Sequence, residues 1–192
     1  MRAGFLALFG TLSLVALAPF PAAGRTASSC AAGGSQTERA NSVARIYVDR
    51  DNLLIACSKR TGHREQLGDL YSDQFHLLRL RGHYLAFAAE MCLDAAGEEG
   101  CSYGVQLVDV RSGRTLFAGA GDGDARRVIV TRSGGLAWSE DEGDATGAVY
   151  RRDGARQRRL DRADGLDPLS LRLEGSTLSW SSAGKRRTAT LR

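Results

Sequence analysis

The sequence predicts an all-β fold of about four antiparallel β-meander repeats, roughly 14 strands, and three observations support this. Short apolar runs alternate with polar residues at a period of two, and no segment keeps the 3.6-residue period of a helix. The chain contains 23 glycines but only 3 prolines, which suits many tight turns. Similar runs also recur at intervals of roughly 40 to 50 residues. A β-sandwich with a similar number of strands is the alternative.

The N-terminal 24 residues have the layout of a secretory signal peptide. A basic start, Met1-Arg2, precedes an apolar run from Ala3 to Ala18, and small residues follow at 22–24. The apolar run is shorter than the about 20 residues of a membrane span, which argues against an uncleaved anchor. A lipoprotein would need Cys30 directly after the run, and Cys30 lies well beyond it. We therefore expect a secreted, extracytoplasmic bacterial protein that begins near Arg25 and has no membrane span after cleavage.

Four cysteines in an oxidising compartment predict two disulfides. Cys92 and Cys101 flank a short polar loop between two strand-like runs, and their pairing would staple a hairpin. Cys30 would then tie the mature N-terminus to Cys57. Four buried free thiols are the alternative.

The repeats follow a polar N-terminal segment, residues 25–42, and occupy residues 43–192. We expect three strands in 43–68, four in 75–118, four in 126–160 and three in 169–191. The first repeat thus lacks its first strand and the last lacks its fourth. In 82–88, 134–139 and 175–181 a glycine turn leads into a similar run, which places Phe87, Trp138 and Trp180 at one equivalent position. Core packing is the expected role of these three aromatic side chains.

A run of Leu-Ala-Trp-Ser at 136–139, then the Val149-Tyr150 strand and a glycine turn, resembles the repeats of bacterial extracytoplasmic β-propeller proteins of the TolB or WD40-like kind. The resemblance covers about 150 residues. It implies a small or partial β-propeller that binds partners, and it implies no particular chemistry.

The charged residues are the least uniform feature of the chain. The net charge is +4, but all basic residues except Lys59 and Lys185 are arginines, which is typical of GC-rich coding sequences. Since no basic stripe with interleaved aromatic residues is present, we do not expect nucleic-acid binding.

In a four-stranded meander, the loops between strands 2 and 3 and the links between repeats lie at one end. Most acidic residues fall there, whereas arginines dominate the opposite turns, for example Arg111, Arg114 and Arg152. This sorting predicts an acidic face that binds a partner. Its expected binding residues are Asp94, Glu98, Glu99, Asp122, Asp124, Glu140, Asp141, Glu142 and Asp144.

The leading functional hypothesis is a non-catalytic module that binds a protein, polysaccharide or cation through this acidic face. No zinc motif or G-x-S-x-G elbow is present, so no catalytic, cofactor-binding or metal residue is assigned. One alternative is a hydrolase that uses two carboxylates of the face as general acid and base. The other is a structural domain whose acidic loops at 122–124 and 140–144 hold Ca²⁺.

Overall fold

In the computed structural model the described residues, 30, 35–70, 73–93 and 100–192, contain strands and turns but no helix. At 73, 74, 90–93, 100–103, 120 and 153 the description is of the backbone alone. Fifteen strands form four antiparallel sheets, and in every sheet the strands pair in chain order. The all-β fold of about four meander repeats is therefore confirmed.

The four sheets follow one another along the chain. The first contains β1 (Gln36–Ala40), β2 (Ala44–Val48), β3 (Leu53–Ser58) and β4 (Arg64–Asp69). The second contains β5 (Asp73–Arg81), β6 (Tyr84–Leu93), β7 (Gly100–Asp109) and β8 (Arg114–Ala120). The third contains β9 (Asp124–Val130), β10 (Leu136–Gly143), β11 (Thr146–Asp153) and β12 (Arg156–Asp164). The fourth contains β13 (Leu166–Glu174), β14 (Thr177–Ser182) and β15 (Lys185–Thr190).

The first sheet has a strand that the sequence did not predict. β1 lies within the polar segment 25–42, is exposed along nearly its whole length and pairs with β2. Arg45 of β2 holds it in place by donating hydrogen bonds to Thr37 Oγ1 (2.8 Å), Ser35 Oγ (2.9 Å) and the carbonyl of Cys30 (2.7 Å). A hydrophobic pattern cannot detect such a strand, because backbone pairing and not burial forms it. The fourth sheet has three strands, as predicted.

Three hydrophobic cores of the described residues lie between neighbouring sheets, so the central strands bury both faces. In β6, Leu85 and Phe87 pack toward the first sheet, whereas Ala86 and Ala88 pack toward the third. The run at 84–89 is consequently apolar throughout, as expected for a strand covered on both sides.

The three aromatic residues at the equivalent repeat position are all buried, as predicted. Phe87 belongs to the core between the first and second sheets, Trp138 to the core between the second and third, and Trp180 to the core between the third and fourth. Their exposed fractions are 0%, 0% and 5%. Each core therefore contains one large aromatic side chain from the repeat.

The first strands of the four sheets, β1, β5, β9 and β13, lie innermost and line one central cavity of about 420 Å³. β5 and β13 both pack against β9, and β1 packs against β5. This is a propeller-like arrangement, in which the sheets are placed around an axis with their first strands inside.

Candidate functional site

The connections between strands lie on two faces of the molecule. Hydrogen bonds and contacts between neighbouring connections show which connections share a face. On one face, the backbone amide of Leu70 donates a hydrogen bond to the carbonyl of Asn52 (3.1 Å). In the same way, the amide of Gly165 donates to the carbonyl of Ala145 (2.9 Å), and the amide of Ala183 donates to the carbonyl of Gly165 (3.0 Å). These residues belong to the loops between second and third strands and to the links between sheets. We call this the link face.

On the other face, which we call the turn face, the side chain of Asn41 donates to the carbonyl of Gly82 (2.9 Å). The ring of Tyr84 lies directly against Gly134, and Arg152 donates to the carbonyl of Gly134 (3.2 Å). The strand order therefore brings together the connections that the meander rule assigns to each end.

Three of the nine expected binding residues, Asp94, Glu98 and Glu99, lie outside the described residues. The other six surround the link between β8 and β9 and the loop between β10 and β11. Asp122 and Asp144 are exposed within these connections. Asp124 begins β9, and the acidic run 140–142 lies on β10.

Strand alternation separates the acidic residues of β10. Asp141 is half-exposed and forms an ion pair with Arg126 (3.1 Å), which also approaches Asp124 (3.6 Å). Glu140 and Glu142 lie on the opposite side of the strand, the side of Trp138. Their surroundings are much less accessible to solvent.

Glu142 is held by an arginine and a tyrosine. Its side chain is 3% exposed, and it accepts hydrogen bonds from Arg162 Nε (2.6 Å) and the hydroxyl of Tyr150 (3.2 Å). Tyr150 stacks on Trp138 at 5.3 Å between ring centroids. Burial, followed by the nearby charges of Glu140 and Glu142, raises the pKa of Tyr150 to about 12. The phenol therefore keeps its proton and remains a hydrogen-bond donor.

Glu140 is the most deeply buried carboxyl of the described residues, at 2% exposed. Its Oε1 accepts a hydrogen bond from Trp138 Nε1 (2.6 Å), whereas Oε2 has no partner in the described part of the chain. Burial, together with the charges of Glu142 and Asp122, raises the pKa of Glu140 to about 7, against hydrogen bonding from the Trp138 side chain and the Gly123 backbone, which lowers it. Its protonation state consequently changes in the neutral pH range.

Gly121 explains how this carboxyl fits under the link. A Cβ atom added at Gly121 would lie 1.6 Å from Glu140 Oε2, so only glycine leaves room for the acid. The glycine-rich stretch 119–123, which joins β8 to β9, therefore covers a buried carboxyl group.

The chemistry available to this cluster is limited. It contains two carboxyl groups on one strand face, one with a raised pKa, which is the electronic arrangement of a general acid. However, the backbone of Gly121 covers Oε2, and no described cavity includes Glu140. Among the described residues no group of three or more His, Cys, Asp or Glu side chains could hold a metal ion. The Ca²⁺ alternative thus gains no support from the described part of its two loops.

Cysteine pairing is the prediction that the structure tests most directly. Cys30 and Cys57 form a disulfide, with their Cα atoms 5.7 Å apart. Cys92 lies directly opposite Cys101 in the β6–β7 pairing. Opposed residues of an antiparallel pair are roughly 4.5–5.5 Å apart at Cα, within the range of disulfides. The side chains of these two cysteines are not described, and the second disulfide stays a prediction.

The predicted signal peptide at 1–24 lies outside the described residues. Within the part of the chain that is described, no helix is long and apolar enough to cross a membrane.

The sequence alone does not predict the arginines of the central cavity. Arg39, Arg79, Arg81, Arg127 and Arg172 all line it. The one available signal was the Leu-Arg-Leu triplet, which occurs at 78–80 and again at 171–173 in strands of equivalent position.

Comparison with known proteins supports the fold alone. No protein-family model and no curated protein matches the chain. KlAtg21, in its complex with the coiled coil of AgAtg16, is similar with a TM-score of 0.50 and 9% identity, over 80% of this chain and 51% of that chain. A chain of the mitotic checkpoint complex (TM-score 0.43, 9% identity, 75% and 45% covered) and dipeptidyl peptidase 4 of Porphyromonas gingivalis (0.30, 12%, 76% and 37%) also match.

This chain therefore spans about half or less of the length of these three structures. The similarity to KlAtg21 supports the propeller-like arrangement of the sheets. It does not extend to the TolB family, for which no sequence match is found.

Proposed function

We propose that the chain is a secreted, non-catalytic binding module that engages a protein or polysaccharide partner through its link face. The observation that carries the proposal is the state of Asp51, Asp122 and Asp144. All three are exposed in connections of the link face, and their carboxylates accept no hydrogen bond and form no ion pair among the described residues. They remain available to bind a basic partner.

Two further observations support a binding role. The Cys30–Cys57 disulfide suits an oxidising compartment, in agreement with the expected secretion. KlAtg21, the similar chain with the highest of the three TM-scores, is itself in complex with a coiled coil. A protein partner is therefore favoured over a polysaccharide.

Fewer carboxylates are available on the acidic face than the sequence predicts. Arg126 and Arg162 neutralise Asp141 and Glu142, and Glu140 is buried. Binding would consequently depend on the loop carboxylates and not on the run 140–142.

Hydrolysis is the second candidate, and the raised pKa of Glu140 favours it. A general acid must come within hydrogen-bond reach of the substrate, at about 2.6–3.2 Å. Because Gly121 occupies the space beside Oε2, we rank hydrolysis below binding.

The proposal is tested by affinity capture from the extracytoplasmic fraction of the native host. The wild-type protein is compared with Asp51→Asn/Asp122→Asn/Asp144→Asn and with a turn-face control, Arg60→Gln/Arg114→Gln/Arg132→Gln. We expect the wild type and the control to retain the same partner, and the acidic-residue variant to lose it. High salt should also release the partner, because exposed charges are screened. Equal retention by all three proteins would contradict the proposal.

A further inference from the structure

The central cavity collects positive charge from every sheet of the protein. The cavity has a volume of about 420 Å³. To its lining β1 contributes Arg39, β5 contributes Arg79 and Arg81, β9 contributes Arg127 and β13 contributes Arg172. Arg79 and Arg127 are half-buried, and the other three are exposed. The cavity is thus surrounded by five guanidinium groups from four separate sheets.

Four of these arginines directly follow a break in the pairing of their strands. Each inner strand has a register shift against the second strand of its sheet, and pairing resumes at an arginine in every case. These residues are Arg39, Arg79, Arg127 and Arg172. A β-bulge bends its strand and redirects the side chains beside it, and bulges are frequent next to binding sites. In all four sheets an arginine thus follows an irregularity of the inner strand.

No acidic side chain of the described residues lines the cavity, and none of the five arginines forms an ion pair within the described part of the chain. Elsewhere arginines do find carboxylates, as Arg126 and Arg162 do. In the cavity, single-nitrogen donations to backbone carbonyls are made by Arg39, Arg79, Arg127 and Arg172. A guanidinium has five N–H donors, so most of this capacity is left for a ligand.

We infer that the central cavity is a binding site for a compact anion that carries two or more carboxylate or phosphate groups. The planar guanidinium fork suits both groups, because each offers two oxygens to parallel N–H donors. The cavity volume falls within the usual range of small-molecule pockets, about 300–1,000 Å³. Leu80 and Leu173, which are half-buried, add apolar surface for the carbon part of a carboxylate ligand.

Isothermal titration with citrate and with pyrophosphate tests this inference and distinguishes its two chemical sources. Citrate reports on carboxylate recognition, and pyrophosphate reports on phosphate recognition. We expect at least one of the two to bind the wild-type protein. Arg39→Gln/Arg172→Gln should weaken that binding about tenfold or more, because charged hydrogen bonds are lost. Both positions are exposed, so the substitutions remove no buried packing.

Arg60→Gln/Arg114→Gln is the matched control, since it removes the same charge from exposed positions on the turn-face connections. It should change anion affinity less than about twofold. A second readout needs no variant: the anion that binds should raise the melting temperature of the wild-type protein.

Three outcomes would overturn the inference. Neither anion binds, or the control weakens binding as much as the cavity variant does, or a glutamate-rich peptide binds while both small anions fail. The last result would assign the arginines to an acidic segment of a partner protein.

Discussion

Glu140 is a charged residue, which is usually exposed, but the fold buries its side chain. It belongs to the acidic run of β10, yet alternation turns it to the side of Trp138 and beneath Gly121. A carboxyl in such a place is costly to ionise, because it loses hydration and gains only one strong hydrogen bond. Its pKa of about 7 is the result.

The stability of the protein should consequently fall with rising pH through the neutral range. In the unfolded chain Glu140 titrates near 4.5, so between that pH and about 7 the folded state binds more protons than the unfolded state. The contribution of the protonated carboxyl is complete below 4.5 and is lost as pH rises through 7. Between pH 5 and pH 8 we expect a loss of about 2–3 kcal/mol from this group.

Glu140→Gln should remove this pH dependence, since it keeps an oxygen acceptor for Trp138 Nε1 but cannot ionise. Urea unfolding of both proteins at several pH values measures the difference, in which effects of other groups cancel. Asp141→Asn is the control: it removes a charge from the same strand and leaves Glu140 in place, so the fall should persist. An unchanged pH dependence in Glu140→Gln would show that another group is responsible.

At the scale of single elements, β1 depends on two connections to the rest of its sheet. One is its pairing with β2, and the other is the disulfide between Cys30 and Cys57 of β3. Arg45 adds side-chain hydrogen bonds around the same segment. Because β1 is mostly exposed and buries little apolar surface, these connections carry most of its stability.

Cys30→Ala/Cys57→Ala should therefore loosen the first sheet before any other. The disulfide closes a loop with a sequence separation of 27, for which chain entropy gives about 3–4 kcal/mol. Hydrogen exchange should show a larger loss of protection at the β1 and β2 amides than at those of β13 and β14, which exchange through global unfolding. A uniform loss of protection in all four sheets, or none in β1, would contradict this expectation.

At the scale of the whole molecule, the sheets stabilise one another through the cores between them. β6 buries both faces, and in β10 Trp138 packs toward the second sheet while Ala137 packs toward the fourth. A central sheet that loses a neighbour would therefore expose a fully apolar face to water.

This mutual dependence predicts one cooperative unfolding transition. Trp138 and Trp180 report on two different interfaces, and the chain has only these two tryptophans. In Trp138→Phe the fluorescence of Trp180 should follow urea unfolding with the same midpoint as far-ultraviolet circular dichroism. In Trp180→Phe the fluorescence of Trp138 should do likewise. Two separated midpoints within either variant would show that the sheets unfold independently.

The sequence by itself determined the fold class, most of the strand order, the roles of Phe87, Trp138 and Trp180, and the Cys30–Cys57 pairing. The first three follow from local information, whereas the disulfide was inferred from the positions of all four cysteines. Alternation, turn glycines and repeated runs report which residues form strands and which must be buried. β1 was not predicted because an exposed, polar edge strand has no such pattern.

Only the tertiary structure decided which charges are available for binding. The meander rule places Glu140 and Asp122 at the same end of the sheets, but packing buries one and exposes the other. The arginine-lined cavity likewise forms because four inner strands, far apart in sequence, meet around one axis. Burial and the meeting of like charges depend on contacts across long sequence separations, and local residue patterns carry no record of those contacts.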